Sequence, residues 1–102
     1  MAVCLTVAAE AGTPVVAVAH GRVAFSDWLK GYGLIVILDH GDGYMSLYAQ
    51  NDSLRRDVGE WVDAGDVLAS VGSSGGQSRP ALYFELRRAS QPIDPRGWFP
   101  SR

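Results

Sequence analysis

The sequence predicts an all-β fold, a small barrel-like β-sandwich made of hairpins with little helix. Its apolar runs are short, and the 12 glycines interrupt every stretch that could form a useful helix. The dipeptide Asp42-Gly43 lies between two such runs and is a strong hairpin signal. Turn signals recur at regular spacing along the chain, a pattern typical of a small sandwich or barrel.

The first half of the chain contains three predicted strands before the hairpin. Residues 15–18 and 22–28 are short β-prone runs separated by Gly21. Residues 32–39 are almost continuously apolar, which predicts a strand covered on both faces. The hairpin turn follows this strand.

The next strand, residues 44–49, alternates in character. We expect Met45 and Leu47 to face the core, since side chains alternate between the two faces of a strand. The opposite face is then predicted to carry Tyr44, Ser46, Tyr48 and Gln50.

The second half of the sequence is predicted to contain one polar connection and three strands. Residues 51–57 are polar and are expected to hold a single helical turn, and residues 61–62, 67–71 and 81–88 read as strands. Pro92 and Pro95 follow, and these residues cannot extend a central strand because they lack an N–H.

Alternation divides the last strand into two faces. The core face is predicted to carry Leu82, Phe84 and Leu86. The other face is predicted to carry Ala81, Tyr83, Glu85 and Arg87.

Composition favours a single domain covering residues 1–102. Hydrophobic residues make up 47% of the chain, and the net charge is −2. This near balance predicts no general attraction to nucleic acid and no attraction to an anionic membrane. No apolar run reaches the roughly 20 residues of a membrane span, so no membrane insertion is expected. The N-terminus lacks the basic region of a signal peptide.

Several motifs together indicate a family. They are the segment Gly12-Thr13-Pro14-Val15, the run Trp28-Leu29-Lys30-Gly31-Tyr32-Gly33, the loop 72–76 and the strand segment 79–86. The segment 79–86 resembles the Pro-His-Leu-His-Phe-Glu strand of LytM/lysostaphin-type zinc endopeptidases, which cut peptidoglycan cross-bridges. Almost end to end, the chain is similar to a degenerate branch of this group, the LytM domains of murein hydrolase activators.

The resemblance implies that the zinc site is erased. The family's ligand and catalytic positions fall on Ala2, Thr6, Gln50, Ala81 and Tyr83. A catalytic zinc needs three protein ligands and an open position for water, and these five side chains supply no imidazole and no carboxylate. The resemblance therefore implies no enzyme activity, no catalytic residue, no metal and no other cofactor.

Other polar residues are expected to be structural. His20 and His40 lie beside glycines and are interpreted as turn residues. Ser73 and Ser74 belong to a polar loop whose hydroxyls are expected to bond the backbone.

The function that the resemblance implies is activation of periplasmic N-acetylmuramoyl-L-alanine amidases, which split septal peptidoglycan. The vestigial active-site groove would capture a regulatory helix of the amidase. The expected groove residues are Tyr32, Ile35, Tyr48, Gln50, Ala81, Tyr83 and Arg87. Two further rim positions fall on Val3 and Thr6, and Arg87 is expected to pair with a carboxylate of the incoming helix. Contact with the FtsE–FtsX complex would need a coiled coil that this chain does not contain.

Three alternatives belong to other classes. One is a residual zinc endopeptidase, and another is a peptidoglycan-binding module without a protein partner. The third is a lipoyl or biotinyl carrier, suggested by the turn-and-strand pattern of residues 62–68. The only lysine, Lys30, lacks the sequence context that such cofactors require, which disfavours the carrier.

Overall fold

Strands alone provide the regular structure of residues 3–76 and 78–88, the part of the chain that the computed structural model describes. They are β1 (Val3–Ala8), β2 (Pro14–Val16), β3 (Gly21–Leu29), β4 (Gly33–Gly41), β5 (Tyr44–Leu54), β6 (Trp61–Val62), β7 (Val67–Val71) and β8 (Ala81–Arg88). Within these residues no helix is long and apolar enough to cross a membrane.

The strands form one antiparallel arrangement. Six of them lie in the order β1-β8-β5-β4-β3-β6, and β7 pairs both with β5 and with the short strand β2. The β2–β7 pair contributes Val15, Leu68 and Val71 to the buried cluster that also holds residues of β4 and β5. The prediction of an all-β fold built from hairpins is confirmed.

The hairpin between β4 and β5 has the predicted two-residue turn. Asp42 and Gly43 both adopt positive φ, at 54° and 80°. A type I′ turn needs positive φ at both central positions, and its twist matches that of the flanking strands. The Asp-Gly dipeptide therefore sets the register between β4 and β5.

Two buried clusters lie on opposite faces of the sheet. The inner cluster consists of Val15, Ala17, Val23, Val36, Leu38, Tyr48, Val62, Leu68, Ala69 and Val71. The outer cluster consists of Ile35, Leu47 and Ala49, with Phe25, Tyr32, Ile37, Met45 and Tyr83 packed against it. Because β4 supplies Val36 and Leu38 to one cluster and Ile35 to the other, the prediction that this strand is covered on both faces is confirmed.

The prediction for the faces of β5 is wrong. Ser46 and Tyr48 point inward, while Leu47 belongs to the outer cluster. Residues 46–49 are all buried, so alternation divides them into two sets without showing which set faces the main core. The antiparallel register with β8 determines which set faces the main core, because Tyr48 lies opposite Phe84, which packs against that core.

Two further elements differ from the sequence prediction. Residues 51–54 continue β5 and form no helical turn, because they pair with β7 and the buried Asn51 carboxamide donates to the carbonyls of Leu34 and Tyr48. The strand β1 was not predicted. Its β-branched and apolar run pairs along the whole of β8, from Val3 opposite Leu86 to Ala8 opposite Ala81.

A hydrogen-bond chain ties the hairpin to the interior. The Tyr48 hydroxyl accepts the Val18 backbone N–H at 3.1 Å and is bonded to the Ser46 hydroxyl at 2.8 Å. His40 contacts Ser46 through Nε2 at 2.6 Å, and its Nδ1–H donates to the carbonyl of His20 at 2.8 Å. Burial raises the pKa of Tyr48 above its ordinary value, so this hydroxyl stays protonated. His40 is therefore a structural residue of the turns, as predicted.

Replacement of a core leucine tests this packing. Leu38 is fully buried, and Leu38→Ala should lower the free energy of unfolding by about 2–5 kcal/mol, the usual cost of the lost contacts and the cavity. Urea denaturation followed by tryptophan fluorescence measures the change. Val58→Ala is the matched control, since Val58 is 62% exposed and should change stability by less than about 0.5 kcal/mol. Equal midpoints for both variants would contradict the inner cluster.

Candidate functional site: a groove on the outer face of β8

The outer face of β8 is defined by its two strand partners. Tyr83 lies opposite Thr6 of β1 and Ala49 of β5, so these three residues share one face. Glu85 lies in the same way between Cys4 and Leu47. Leu82 and Phe84 pack against the inner cluster, which agrees with the predicted division of this strand.

Two tyrosines line one part of this face. The rings of Tyr32 and Tyr83 lie 5.9 Å apart, centroid to centroid, and are tilted by 52°. Both pack against the outer cluster, in which Ile35 is fully buried. The structure therefore brings together three predicted groove residues. Ile35 forms the floor beneath the rings, and the partly exposed tyrosines form the surface.

Tyr48 does not belong to this surface. Its side chain is 1% exposed, and its ring packs edge-on against Phe84, with the centroids 5.4 Å apart. The prediction that Tyr48 lines the groove is wrong, because antiparallel pairing with Phe84 turns its ring to the inner face. Ser46 is turned inward with it, and Tyr44, at the start of β5, lies opposite Arg88.

Gln50 reaches the outer face through a break in strand alternation. It adopts a φ of 68°, a left-handed conformation that is rare for residues other than glycine. Its backbone N–H donates to the carbonyl of Tyr32 at 2.9 Å. The pairing of β5 with β4 shifts at this point, between Tyr48 and Asn51. This irregularity places Gln50 and Tyr48 on different sides of the sheet.

A depression of about 420 Å³ lies where the resemblance places the zinc site. It is lined by Thr6, Ala8, Gln50, Ser78, Arg79, Pro80 and Ala81. The side chains of Thr6, Gln50 and Ala81 thus meet at one place, with Tyr83 directly opposite Thr6 across the strand pair. Ala2 and the side chain of Val3, two other predicted positions, lie outside the described residues.

The donor set of this face is poor for a metal. Thr6, Gln50, Ala81 and Tyr83 offer a hydroxyl, a carboxamide, a methyl group and a phenol. Across the described parts of the chain, no three His, Cys, Asp or Glu side chains are grouped so that they could hold a metal ion. His20 forms a pair with Asp63 at 2.9 Å and stacks on Trp61, which lies on the edge strand β6.

A buried carboxylate lies in the floor of the groove. Glu85 is 2% exposed and accepts a hydrogen bond from the Tyr83 hydroxyl at 2.7 Å. Its other oxygen accepts from Nε of Arg87, whose side chain is 25% exposed. Burial raises the pKa of Tyr83 well above its ordinary range, with contacts from Cys4 and Glu85 adding to the effect, so the hydroxyl remains a donor. One carboxylate thus holds two predicted groove residues.

Sequence reasoning placed Glu85 on this face without assigning it a role. The signal was its position between Tyr83 and Arg87 in the alternation, where a carboxylate can bond both neighbours. Since an acidic side chain is almost never fully buried unless it is paired, burial of this strand would have required such partners.

The loop after β7 supports the same end of the groove. The Ser74 hydroxyl accepts the backbone N–H of Leu34 at 3.0 Å, the backbone role predicted for this loop. A Cβ atom on Gly33 would lie 2.5 Å from that hydroxyl oxygen, so the loop can pack closely only against glycine. Ser74 is therefore a packing residue, which disfavours a role as nucleophile.

Comparison with known proteins defines the class. The model of Peptidase family M23 matches residues 3–95. The chain belongs to this family.

Relatives with assigned names indicate a narrower class than the family model does. The chain is 53% identical over 94 residues to the murein hydrolase activator EnvC of Escherichia coli. This alignment covers 92% of the chain and 22% of EnvC. The chain is 35% identical over 99 residues to the murein hydrolase activator NlpD of the same organism, covering 96% of the chain and 26% of NlpD. The chain thus spans about a quarter of the length of these relatives. These matches confirm the resemblance to LytM domains of murein hydrolase activators.

Solved structures confirm the fold. The catalytic domain of the prophage-encoded M23 protein EnpA from Enterococcus faecalis, crystallised as a mutant, matches with a TM-score of 0.77 and 33% identity, covering 81% of this chain and 65% of that one. The catalytic domain of lysostaphin from Staphylococcus simulans matches with a TM-score of 0.77 and 28% identity, over 80% and 63% of the two chains.

Removal of the Tyr48 hydroxyl tests its inner position. Tyr48→Phe leaves the Val18 N–H and the Ser46 hydroxyl without this partner, so the free energy of unfolding should fall by about 1–3 kcal/mol. Tyr32→Phe is the matched control, because the Tyr32 hydroxyl forms no hydrogen bond with the described residues. It should change stability by less than about 0.5 kcal/mol. If chemical denaturation shows the same midpoint for both variants, the assignment of Tyr48 to the core is wrong.

Proposed function

We propose that this domain is a non-catalytic activator of N-acetylmuramoyl-L-alanine amidases in septal peptidoglycan splitting. The groove on the outer face of β8 binds the regulatory helix of the amidase and thereby relieves the inhibition of that enzyme. The observation that carries the proposal is the open depression at Thr6, Gln50 and Ala81, which has space for a partner's side chain and no group that ligates zinc.

The chemistry of the groove supports binding and disfavours hydrolysis. A zinc hydrolase needs three ligands and an open position for water, and the side chains around the depression supply no imidazole and no thiolate. The surface instead carries two packed tyrosines and an arginine held by a carboxylate. Tyrosine and arginine are the residue types that contribute most to protein–protein binding.

The residues of the groove suit an amphipathic helix. An amphipathic helix binds by placing its apolar side chains into a hydrophobic groove. The floor formed by Ile35, Leu47 and Ala49 is apolar and buried, and Tyr32 and Tyr83 stand over it. A helix that carries one small or medium apolar side chain can insert it beside Ala81.

The names of the relatives support the same role. EnvC and NlpD are each named as a murein hydrolase activator. A lipoprotein NlpD of Yersinia enterocolitica is 37% identical over 97 residues. We place this domain in the periplasm on the same basis, and contact with the FtsE–FtsX complex is assigned to a coiled coil outside this sequence.

The first experiment removes an aromatic side chain from the groove. Tyr83→Ala should reduce activation at least tenfold, the effect of losing about 1.4 kcal/mol of binding free energy from a hot spot. The assay measures dye release from labelled peptidoglycan by a periplasmic amidase that wild-type domain activates. Trp61→Ala is the control, because Trp61 is 62% exposed and lies on the opposite edge strand, and it should activate like wild type.

Three results, from this assay and from binding measurements, would contradict the proposal. Full activation by both Tyr83→Ala and Tyr32→Ala would remove the groove from the mechanism. Dye release by the domain without amidase would show a residual endopeptidase. Absence of amidase binding, combined with sedimentation of the domain with purified peptidoglycan, would show a peptidoglycan-binding module.

Metal content gives an independent prediction. Since the groove offers no set of zinc ligands, the purified domain should hold far less than one zinc per chain after dialysis. Elemental analysis of the dialysed protein measures this. Retention of about one zinc per chain would contradict the non-catalytic assignment.

A further inference from the structure

Two arginines border the groove, and their surroundings differ. Arg87 lies within the groove and is bonded to the buried Glu85. Arg79 lies at its mouth, just before β8 begins, and is exposed. From this contrast we infer that Arg79, and not Arg87, is the cation that selects an acidic partner. The inference rests on the proposed function, because it assigns a role within the same helix-binding groove.

The charge of Arg87 is already used within the chain. Its Nε bonds the Glu85 carboxylate, which also accepts the Tyr83 hydroxyl and is 2% exposed. A carboxylate arriving from a partner would meet this buried negative charge directly behind the guanidinium. Removing Arg87 from Glu85 would leave a buried charge unpaired, which is strongly unfavourable. Arg87 therefore acts as a clamp that orders the floor of the groove.

The Arg79 side chain has no carboxylate partner of this kind among the described residues. None of the residues described by the structure forms an ion pair or hydrogen bond with its side chain. The residue that follows, Pro80, disfavours a helical backbone at Arg79. Arg79 is exposed and lines the depression at the entrance of the groove.

Arg79 also lies where two depressions meet. The depression of about 420 Å³ and a second one of about 670 Å³ share Ala8, Arg79 and Pro80 in their walls. The second is completed by Ala9, Glu10 and Ala11, so one carboxylate belongs to its wall. Apart from Glu10 and Arg79 itself, the walls of both depressions carry small, apolar or neutral polar side chains. The entrance thus combines apolar space with one available cation.

This arrangement specifies the chemistry of the partner. The segment that binds should carry an apolar side chain that enters the alanine-lined space and an Asp or Glu nearby on the same helix face. The guanidinium can bond both oxygens of a carboxylate, which fixes the orientation of the helix as well as its position. A helix with a basic residue at that place would be repelled.

The test measures association kinetics with the amidase that wild-type domain activates. Arg79→Glu should lower the association rate constant about tenfold at 50 mM NaCl, and the difference should nearly vanish at 500 mM NaCl, because salt screens steering by exposed charges. Arg55→Glu makes the same charge change at an exposed arginine that lines neither depression, and should alter the rate less than twofold.

A charge exchange provides the second arm. Acidic residues of the amidase regulatory helix are replaced by Lys one at a time, and one such amidase should associate faster with Arg79→Glu than with the wild-type domain. If no variant does so, Arg79 does not meet a carboxylate of that helix and the inference is wrong.

The outcomes separate the inference from the proposed function. If Arg79→Glu associates like Arg55→Glu while Tyr83→Ala binds weakly, the groove is the site and Arg79 does not select the partner. If Tyr83→Ala and Arg79→Glu both bind like wild type, the helix binds elsewhere, and both proposals are wrong. Melting curves for each variant confirm that the changes in rate do not arise from unfolding.

Discussion

The pairing of β8 along both of its edges is the constraint on which the groove depends. β1 pairs with it from Val3 to Ala8, and β5 pairs with it from Tyr44 to Ala49. A slip of one residue would turn the outer side chains inward, since successive side chains point to opposite faces. The contact between Phe84 and Tyr48 in the inner cluster opposes such a slip. Packing on the inner face of β8 thus determines which side chains this strand presents on its outer face.

The same strand, β8, carries the paired charges of the site. Glu85 is buried between Tyr83 and Arg87. Each of these side chains donates a hydrogen bond to one of its carboxylate oxygens. A buried carboxylate is tolerated only when its hydrogen bonds are satisfied, so the three side chains depend on one another. The carboxylate on this face is therefore satisfied within the chain, whereas Arg79, which forms no ion pair with the described residues, lines the neighbouring depression. We regard this separation of a rigid floor from a charged rim as the main physical feature of the site.

Much of the fold could be predicted because its determinants are local. The Asp-Gly turn, the doubly covered strand β4 and the strands β6, β7 and β8 follow from residue types and alternation within short segments. The face of Tyr48 could not be predicted in this way. Both faces of β5 are buried around it, so neither set of alternating residues is polar enough to mark the solvent side. The continuation of β5 through Asn51 was not predicted because this residue is polar. Its buried carboxamide is satisfied by the carbonyls of Tyr48 and of Leu34 on the neighbouring strand, and the second contact exists only in the folded sheet.

The sequence by itself determined the all-β class, the tight hairpin and the division of β8 into two faces. These properties depend on backbone preferences and on the chemistry of single side chains. Tertiary structure alone decided that Tyr48 belongs to the core and that Gln50, in a left-handed conformation, faces the depression. It also decided that Arg87 is bonded to Glu85, whereas Arg79 lines the depression. The reason is physical: burial, strand register and the pairing of charges are set by neighbours that come from other strands, and no local pattern specifies which neighbours those are.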